Sequence, residues 1–479
     1  MNALIKKWRS IPASAKSSIA FIISSFFLKG ISFITTPIFT RLMDPTQYGI
    51  MATYTSWTSI IDVFALLGLT SAGVFNVGLN DHRDTRNQYI SSTLTLCNLT
   101  TLIVFAVIAV CKIVIGESFL LPTNLLVLMF LHFIFSPAQV FWITRQKYEY
   151  KYKLAFIITI ASTLVSQAVS ILGVFVNTTG HDAYVKLWCA ELSSFLFVIP
   201  LYVLTFVRGK TFFNRHRWKQ TLVFALPLIP HYLAQHVMSG ADRIMLSNMV
   251  GSSSAGIYSV VANISMIATI VWGAINASLV AYVFEHLAKK EYKPINSTVS
   301  LLVLGYGITC VAVCLVAPEV LRILAPAEYY VGVYAVPPIA GAAFLSALYN
   351  VYANIEFFHK ESIYITTATI TATVINLVLN YVFIRLFPAY GFIAAAYTTL
   401  ISYAVLVLMH FIGYRKSTPE KIYNDRNLFV ICFVCIGACV GCTLLYPSTV
   451  VRYGLVGTLL ILAVWKRKFI LEKIKALRS

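Results

Sequence analysis

Fourteen apolar runs of about 20 residues or more, divided by short polar breaks, leave this chain few ways to fold. About 20 apolar residues make a helix long enough to cross the hydrocarbon core of a bilayer. No water is available there to pair with the backbone, so each run is expected to be a helix, which satisfies its own N–H and C=O groups. The segments run roughly 17–43, 46–75, 88–115, 119–144, 153–177, 183–207, 220–250, 255–284, 295–317, 331–357, 362–386, 391–413, 427–446 and 449–465. Only 11% of the 479 residues are charged, where a soluble chain carries about 25%, so a soluble class is excluded. The first run follows a basic start. It is too long for a signal-peptide core and has no small-residue cleavage site after it, so it reads as a retained first span.

The net charge of +19 would suit nucleic acid, but the placement of the charges argues otherwise. Alternate connections, from "KKWRSIPASAK" and "HRDTR" to the tail "KRKFILEKIKALRS", hold 29 of the 37 Lys and Arg residues. The intervening set holds six: Arg41, Lys112, Lys186, Arg322, Arg385 and Arg452. Such an alternation is the positive-inside pattern and puts both termini in the cytoplasm. The charge is therefore a topology signal and a contact for anionic membrane lipids. No nucleic-acid partner is expected.

Two pieces of the chain echo each other. "MDPTQYGIMATYTSWTSII" aligns with "VGSSSAGIYSVVANISMIA", pairing Gly49–Ile50 with Gly256–Ile257 at a spacing of 207. "TLVSQAVSILGVFVN" aligns with "TVINLVLNYVFIRLF" at a spacing of 210. The halves are then segments 1–6 and 7–12, and an even number of spans per half makes the two repeats parallel. The expected organisation is an N-terminal lobe over 1–210, a C-terminal lobe over 211–415, and segments 13 and 14 with a basic tail over 416–479. Two facing six-helix bundles suit alternating access.

Enzyme and metal signals are missing. No phosphate-cradling glycine loop, metal-ligand cluster or nucleophile with a base at motif spacing occurs. Cys432, Cys435, Cys439 and Cys442 imitate a double CxxC, but on one helix they span about three turns, too far for one tetrahedral centre. They are expected to be a small-residue stripe packing one helix on another. The longest outer connection, "VAPEVLRILAPAEYYVG", is too short to be the catalytic loop of a membrane polymerase or ligase.

Ionisable groups inside a membrane cost at least about 2.5–3.5 kcal/mol each on insertion scales, so they are functional candidates. The first half carries Lys29 and Asp62, read as midway along segments 1 and 2, with His132 in segment 4, Glu191 in segment 6 and Arg41 closing segment 1. The second half carries His231, His236, Asp242 and Arg243 in segment 7 and Glu356 near the inner end of segment 10. Lys29 and Arg243, on the leading segment of each half, with Arg41 and His236, are candidates for contact with a large anion. Asp62, Glu191, Asp242 and Glu356 are candidates for binding a coupling H+ or Na+, or for structural pairing within a lobe. Asp242 and Arg243 are adjacent and point about 100° apart, so each needs its own partner. Pro227 and Pro230 are expected to bend segment 7.

Three stretches carry a family resemblance. "KGISFITTPIFTRLMDPTQYGIMATY" (29–54), "ADRIMLSNMVGSSSAGIYSVVANI" (241–264) and "NLVLNYVFIRLFPAYGFIAAAYTTLISY" (376–403) resemble the Wzx-type polysaccharide flippases of the multidrug/oligosaccharidyl-lipid/polysaccharide exporter superfamily. The resemblance implies an all-α, V-shaped, MATE-like transporter of fourteen helices in the bacterial inner membrane. It implies passage of an undecaprenyl-diphosphate-linked oligosaccharide from the inner to the outer leaflet for O-antigen, capsule or exopolysaccharide synthesis. It further implies an ion gradient in place of a cofactor, and a polysaccharide polymerase and chain-length regulator as partners. By position, Asp242 and Arg243 match the family's acidic-basic pair and Arg41 its basic residue before the first turn, whereas Arg385 departs from the pattern. A drug/cation antiporter or a lipid II flippase of the same superfamily are the rival readings.

Overall fold

A computed structural model describes residues 13–70, 75, 78–80, 85–116, 119–359, 361–418 and 420–465. The basic start, most of "HRDTR", Lys360 and the basic tail lie outside the described residues. The described chain is helical, with no strand among the described residues. In order the helices are α1 (Ala13–Leu42), α2 (Pro45–Ala65), α3 (Arg86–Ile115), α4 (Thr123–Tyr148), α5 (Tyr152–Val176), α6 (Asp182–Gly209), α7 (Arg215–Ala225), α8 (Ile229–Met249), α9 (Ser252–Ala288) and α10 (Tyr292–Leu324). They continue with α11 (Val336–Phe358), α12 (Ser362–Leu386), α13 (Gly391–Ser417), α14 (Asp425–Leu445) and α15 (Thr449–Trp465). Each expected segment overlaps a helix, and ten helices among the described residues, against the fourteen expected spans, are long and apolar enough to cross a membrane. On α3 the side chains of Ile103, Val107, Val110, Ile113 and Val114 are exposed, a stripe fit for lipid and not for water. The protein is a multi-pass membrane protein.

Three boundaries differ from the sequence reading. Segment 2 was expected to run to residue 75, but α2 stops at Ala65, where Leu67 and Gly68 take left-handed backbone angles (φ 52° and 65°). Glycine adopts that conformation without strain, and it ends helices. The apolar letters that follow hid this stop, so Asp62 lies in the last turn of α2 and not midway along it. Segment 7 is broken by Pro227 into α7, a single 3-10 turn (Leu226–Leu228) and α8. Pro230, in the first turn of α8, is tolerated. The expected outer connection after segment 9 is largely helical, divided between the end of α10 and a 3-10 stretch (Ala327–Ala335).

The chain forms two compact units, residues 1–43 with 53–236 and residues 44–52 with 237–479. In the first, α5 packs on α1 and α6, and α6 also packs on α3 and α4. In the second, α13 packs on α11 and α12, while α10 packs on α9, α11, α14 and α15. The cysteine stripe lies on helices that pack together, α14 and α10: Cys435, Cys439 and Cys442 are buried on α14, as are Cys310 and Cys314 on α10. Arg452, 2% exposed, ties α15 to α10 by donating to both carboxylate oxygens of Glu319 (2.6 and 2.7 Å) and to the Leu315 carbonyl (2.9 Å). Within the second unit the two repeat-related glycines abut. A Cβ on Gly49 would lie 1.7 Å from the Ser252 carbonyl oxygen, and one on Gly256 would lie 2.0 Å from that of Pro45. Only backbones without side chains fit a crossing this close.

Candidate functional site

In the first unit, α2 presents Thr55, Thr58, Ser59 and Asp62 at the three- and four-residue spacing that places them on one face. Thr58 donates to the Tyr54 carbonyl (2.8 Å) and Ser59 to that of Thr55 (3.0 Å). Their hydroxyl hydrogens are thus spent within the helix, leaving oxygens as acceptors. Asp62 adds a carboxylate at the negative end of the helix dipole. Opposite, His132 of α4 brings Nδ1 to within 3.0 and 3.1 Å of the two Glu191 oxygens of α6, and Ser136 lies 3.3 Å from its Nε2. His236 of α8 completes the lining. Thr55, Thr58, Ser59, Asp62, His132, Glu191 and His236, with Tyr54, line an open cavity of about 350 Å³. That falls in the range of small-molecule sites, roughly 300–1,000 Å³. Acceptor oxygens, two carboxylates and two imidazoles favour a positive charge here and provide successive holders for a proton.

The structure therefore brings together Asp62, Glu191 and His236, with His132, in one cavity. The other sequence-derived candidates lie elsewhere. Lys29 is exposed on α1 and makes no hydrogen bond or ion pair among the described residues. Arg41 donates to the Pro37 carbonyl (2.8 Å).

In the second unit Asp242, 3% exposed, is an acceptor for three helices at once. Tyr258 of α9 (2.5 Å) and Thr399 of α13 (2.9 Å) donate to Oδ2, and Asn380 of α12 (2.6 Å) donates to Oδ1. Asn376 and Thr398 extend the network by bonding to Thr399 and Asn380. Arg243 turns away to the Ser259 hydroxyl (3.1 Å) and the Ser239 carbonyl (2.8 Å), so the adjacent pair is not an ion pair. Asp242→Ala would orphan three buried donors at about 1–3 kcal/mol each. It is expected to lower the thermal midpoint of the solubilised protein sharply, with Asp242→Asn milder; an unchanged midpoint in Asp242→Ala would contradict this anchoring.

Glu356 of α11 pairs with His410 of α13 at 2.5 Å, both side chains fully buried. Sequence reasoning missed His410, the Asp242 donors and the Glu319–Arg452 pair. Asn376 and Asn380, four residues apart in an apolar segment, were the legible signal for one of these.

Residues 14–286, more than half of the chain, match the family described as polysaccharide biosynthesis protein. A protein of the Lsg locus of Haemophilus influenzae, protein 1, is 21% identical over 284 residues, covering 58% of this chain and 67% of the relative. Among solved structures, the lipid II flippase MurJ in an inward closed conformation aligns with a TM-score of 0.64 at 14% identity, over 94% of this chain and 100% of that one. An inward-facing multidrug resistance MATE family transporter of the MOP superfamily aligns with a TM-score of 0.59 at 14% identity, over 81% and 93%. At such identities the structures are similar in fold. The chain belongs to the polysaccharide biosynthesis protein family and shares its fold with the lipid II flippase MurJ and with a MATE family transporter of the MOP superfamily.

Proposed function

We propose that the protein is a flippase that moves an undecaprenyl-diphosphate-linked oligosaccharide from the cytoplasmic to the outer leaflet of the bacterial inner membrane. Movement is by alternating access, driven by protons that bind in the Asp62–His132–Glu191–His236 cavity. Family membership supports the polysaccharide role, and the basic connections support cytoplasmic termini. The cavity carries the coupling assignment. Imidazoles paired with carboxylates exchange protons, whereas sodium favours a shell of oxygens alone. Lys29 and Arg243 are the proposed contacts for the diphosphate, and His236, beside two carboxylates, moves to the coupling site. A polymerase and chain-length regulator are the proposed partners at the outer leaflet.

Deletion of the gene should make one lipid-linked oligosaccharide accumulate on the inner leaflet and abolish the corresponding surface polysaccharide. Unchanged surface polysaccharide with new sensitivity to organic cations would instead favour a drug antiporter, the reading that the acidic lining of the same cavity supports.

A further inference from the structure

The first unit holds a second, smaller cavity of about 90 Å³, separate from the titratable one. It sits where α3 begins and where α4 and α6 end, and its lining includes Asn87, Trp142, Arg145, Glu149, Lys151 and Arg208. Three cations thus share the lining with one carboxylate. Glu149 is a hub, accepting from Arg145 Nε (2.8 Å), Lys151 Nζ (2.7 Å) and, at 3.5 Å, Arg86. Burial alone would raise the Glu149 carboxyl, but the hydrogen bonds from Lys151 and Arg145 outweigh it and hold the group below the usual carboxylate range. The carboxylate stays ionised near neutral pH, and the lining keeps a surplus of two positive charges. Arg145 is also bonded through Nη1 to Asn87, so its planar fork is fixed from two sides before any ligand arrives. Arg208 is exposed and makes no hydrogen bond or ion pair among the described residues. Trp142 adds an amphipathic ring of the kind found at headgroup level.

A preformed, net-positive pocket at helix ends wants an anion with several acceptor oxygens. At about 90 Å³ it is smaller than sites that enclose whole molecules, roughly 300–1,000 Å³, and admits a single group. It lies on the basic side of the chain, where the surface lipids are anionic. We infer that this pocket binds the headgroup phosphate of an anionic phospholipid of the cytoplasmic leaflet. The leaflet rests on the orientation proposed above; the binding does not, and neither depends on the transported glycan.

The test uses the purified full-length protein, stripped of lipid, with bound lipid counted by native mass spectrometry during titration with phosphatidylglycerol or phosphatidylcholine. Phosphatidylglycerol should bind in preference, and Arg208→Gln with Lys151→Gln should weaken it about 10- to 30-fold. Lys153→Gln with Lys219→Gln, an equal charge loss outside the lining, should change it little. Should the double variant fold poorly, Arg208→Gln alone should still weaken binding about threefold to fivefold, since its side chain is exposed. Equal binding in wild type and lining variants would overturn the site. Displacement of phosphatidylglycerol by equimolar undecaprenyl diphosphate would overturn the phospholipid and assign the phosphate to the carrier lipid. Labelling of Lys151→Cys from outside intact cells would overturn the leaflet while leaving the binding result in place.

Discussion

Glu191→Gln is expected to lower gradient-driven transport by about 5- to 150-fold, the range of coupling free energies of about 1–3 kcal/mol. Abundance and membrane insertion should be unchanged. Glutamine keeps the shape of the side chain and its hydrogen bond to His132, which in the native chain sits 3.0 Å from the carboxylate. It cannot exchange a proton, so the variant separates packing from coupling. Asp62→Asn should behave alike. The double variant should fall well short of the sum of the two losses, because both carboxylates line one cavity and act as a unit. Surface polysaccharide restored to a deletion strain gives the readout. Full restoration by both single variants would remove this cavity from the mechanism.

The second large effect is structural. Gly256→Ala places a Cβ 2.0 Å from a backbone oxygen of Pro45, and Gly49→Ala places one 1.7 Å from that of Ser252. Neither clash can be relieved by turning a flexible side chain, so the crossing itself must open. Overpacking of this kind costs about 1–3 kcal/mol for one added methyl, and a leucine should cost more. A lower thermal midpoint and a smaller monodisperse fraction of solubilised protein are expected for Gly256→Ala, worsening in Gly256→Leu. A wild-type midpoint in Gly256→Leu would show that the crossing is looser than its geometry.

Helix positions were legible because run length and polar breaks are local properties, and each expected segment overlaps a helix, segment 7 two of them. The end of α2 was not. "FALLGLTSAG" stays apolar past Ala65, and only the left-handed backbone at Leu67 and Gly68 marks the stop. Gly49 and Gly256 were readable as repeat mates, but nothing in a one-dimensional alignment says that mates touch. Ionisable residues in apolar runs were equally visible, and four of them, Asp62, His132, Glu191 and His236, share one cavity. Partner choice was hidden because it is made over long separations. Asp242 is 138 residues from Asn380 and 157 from Thr399, and Arg452 is 133 from Glu319. Helical periodicity carries no information over such distances.

The most direct measurement is proton movement in proteoliposomes that hold the purified protein, a pH-sensitive dye and the lipid-linked oligosaccharide that accumulates in the deletion strain. Under an imposed pH gradient the wild type should move protons only when the lipid-linked oligosaccharide is present and is being flipped, and Glu191→Gln should do neither. Flipping that continues at the wild-type rate after the gradient is collapsed, or in Glu191→Gln, would contradict proton-coupled transport through this cavity.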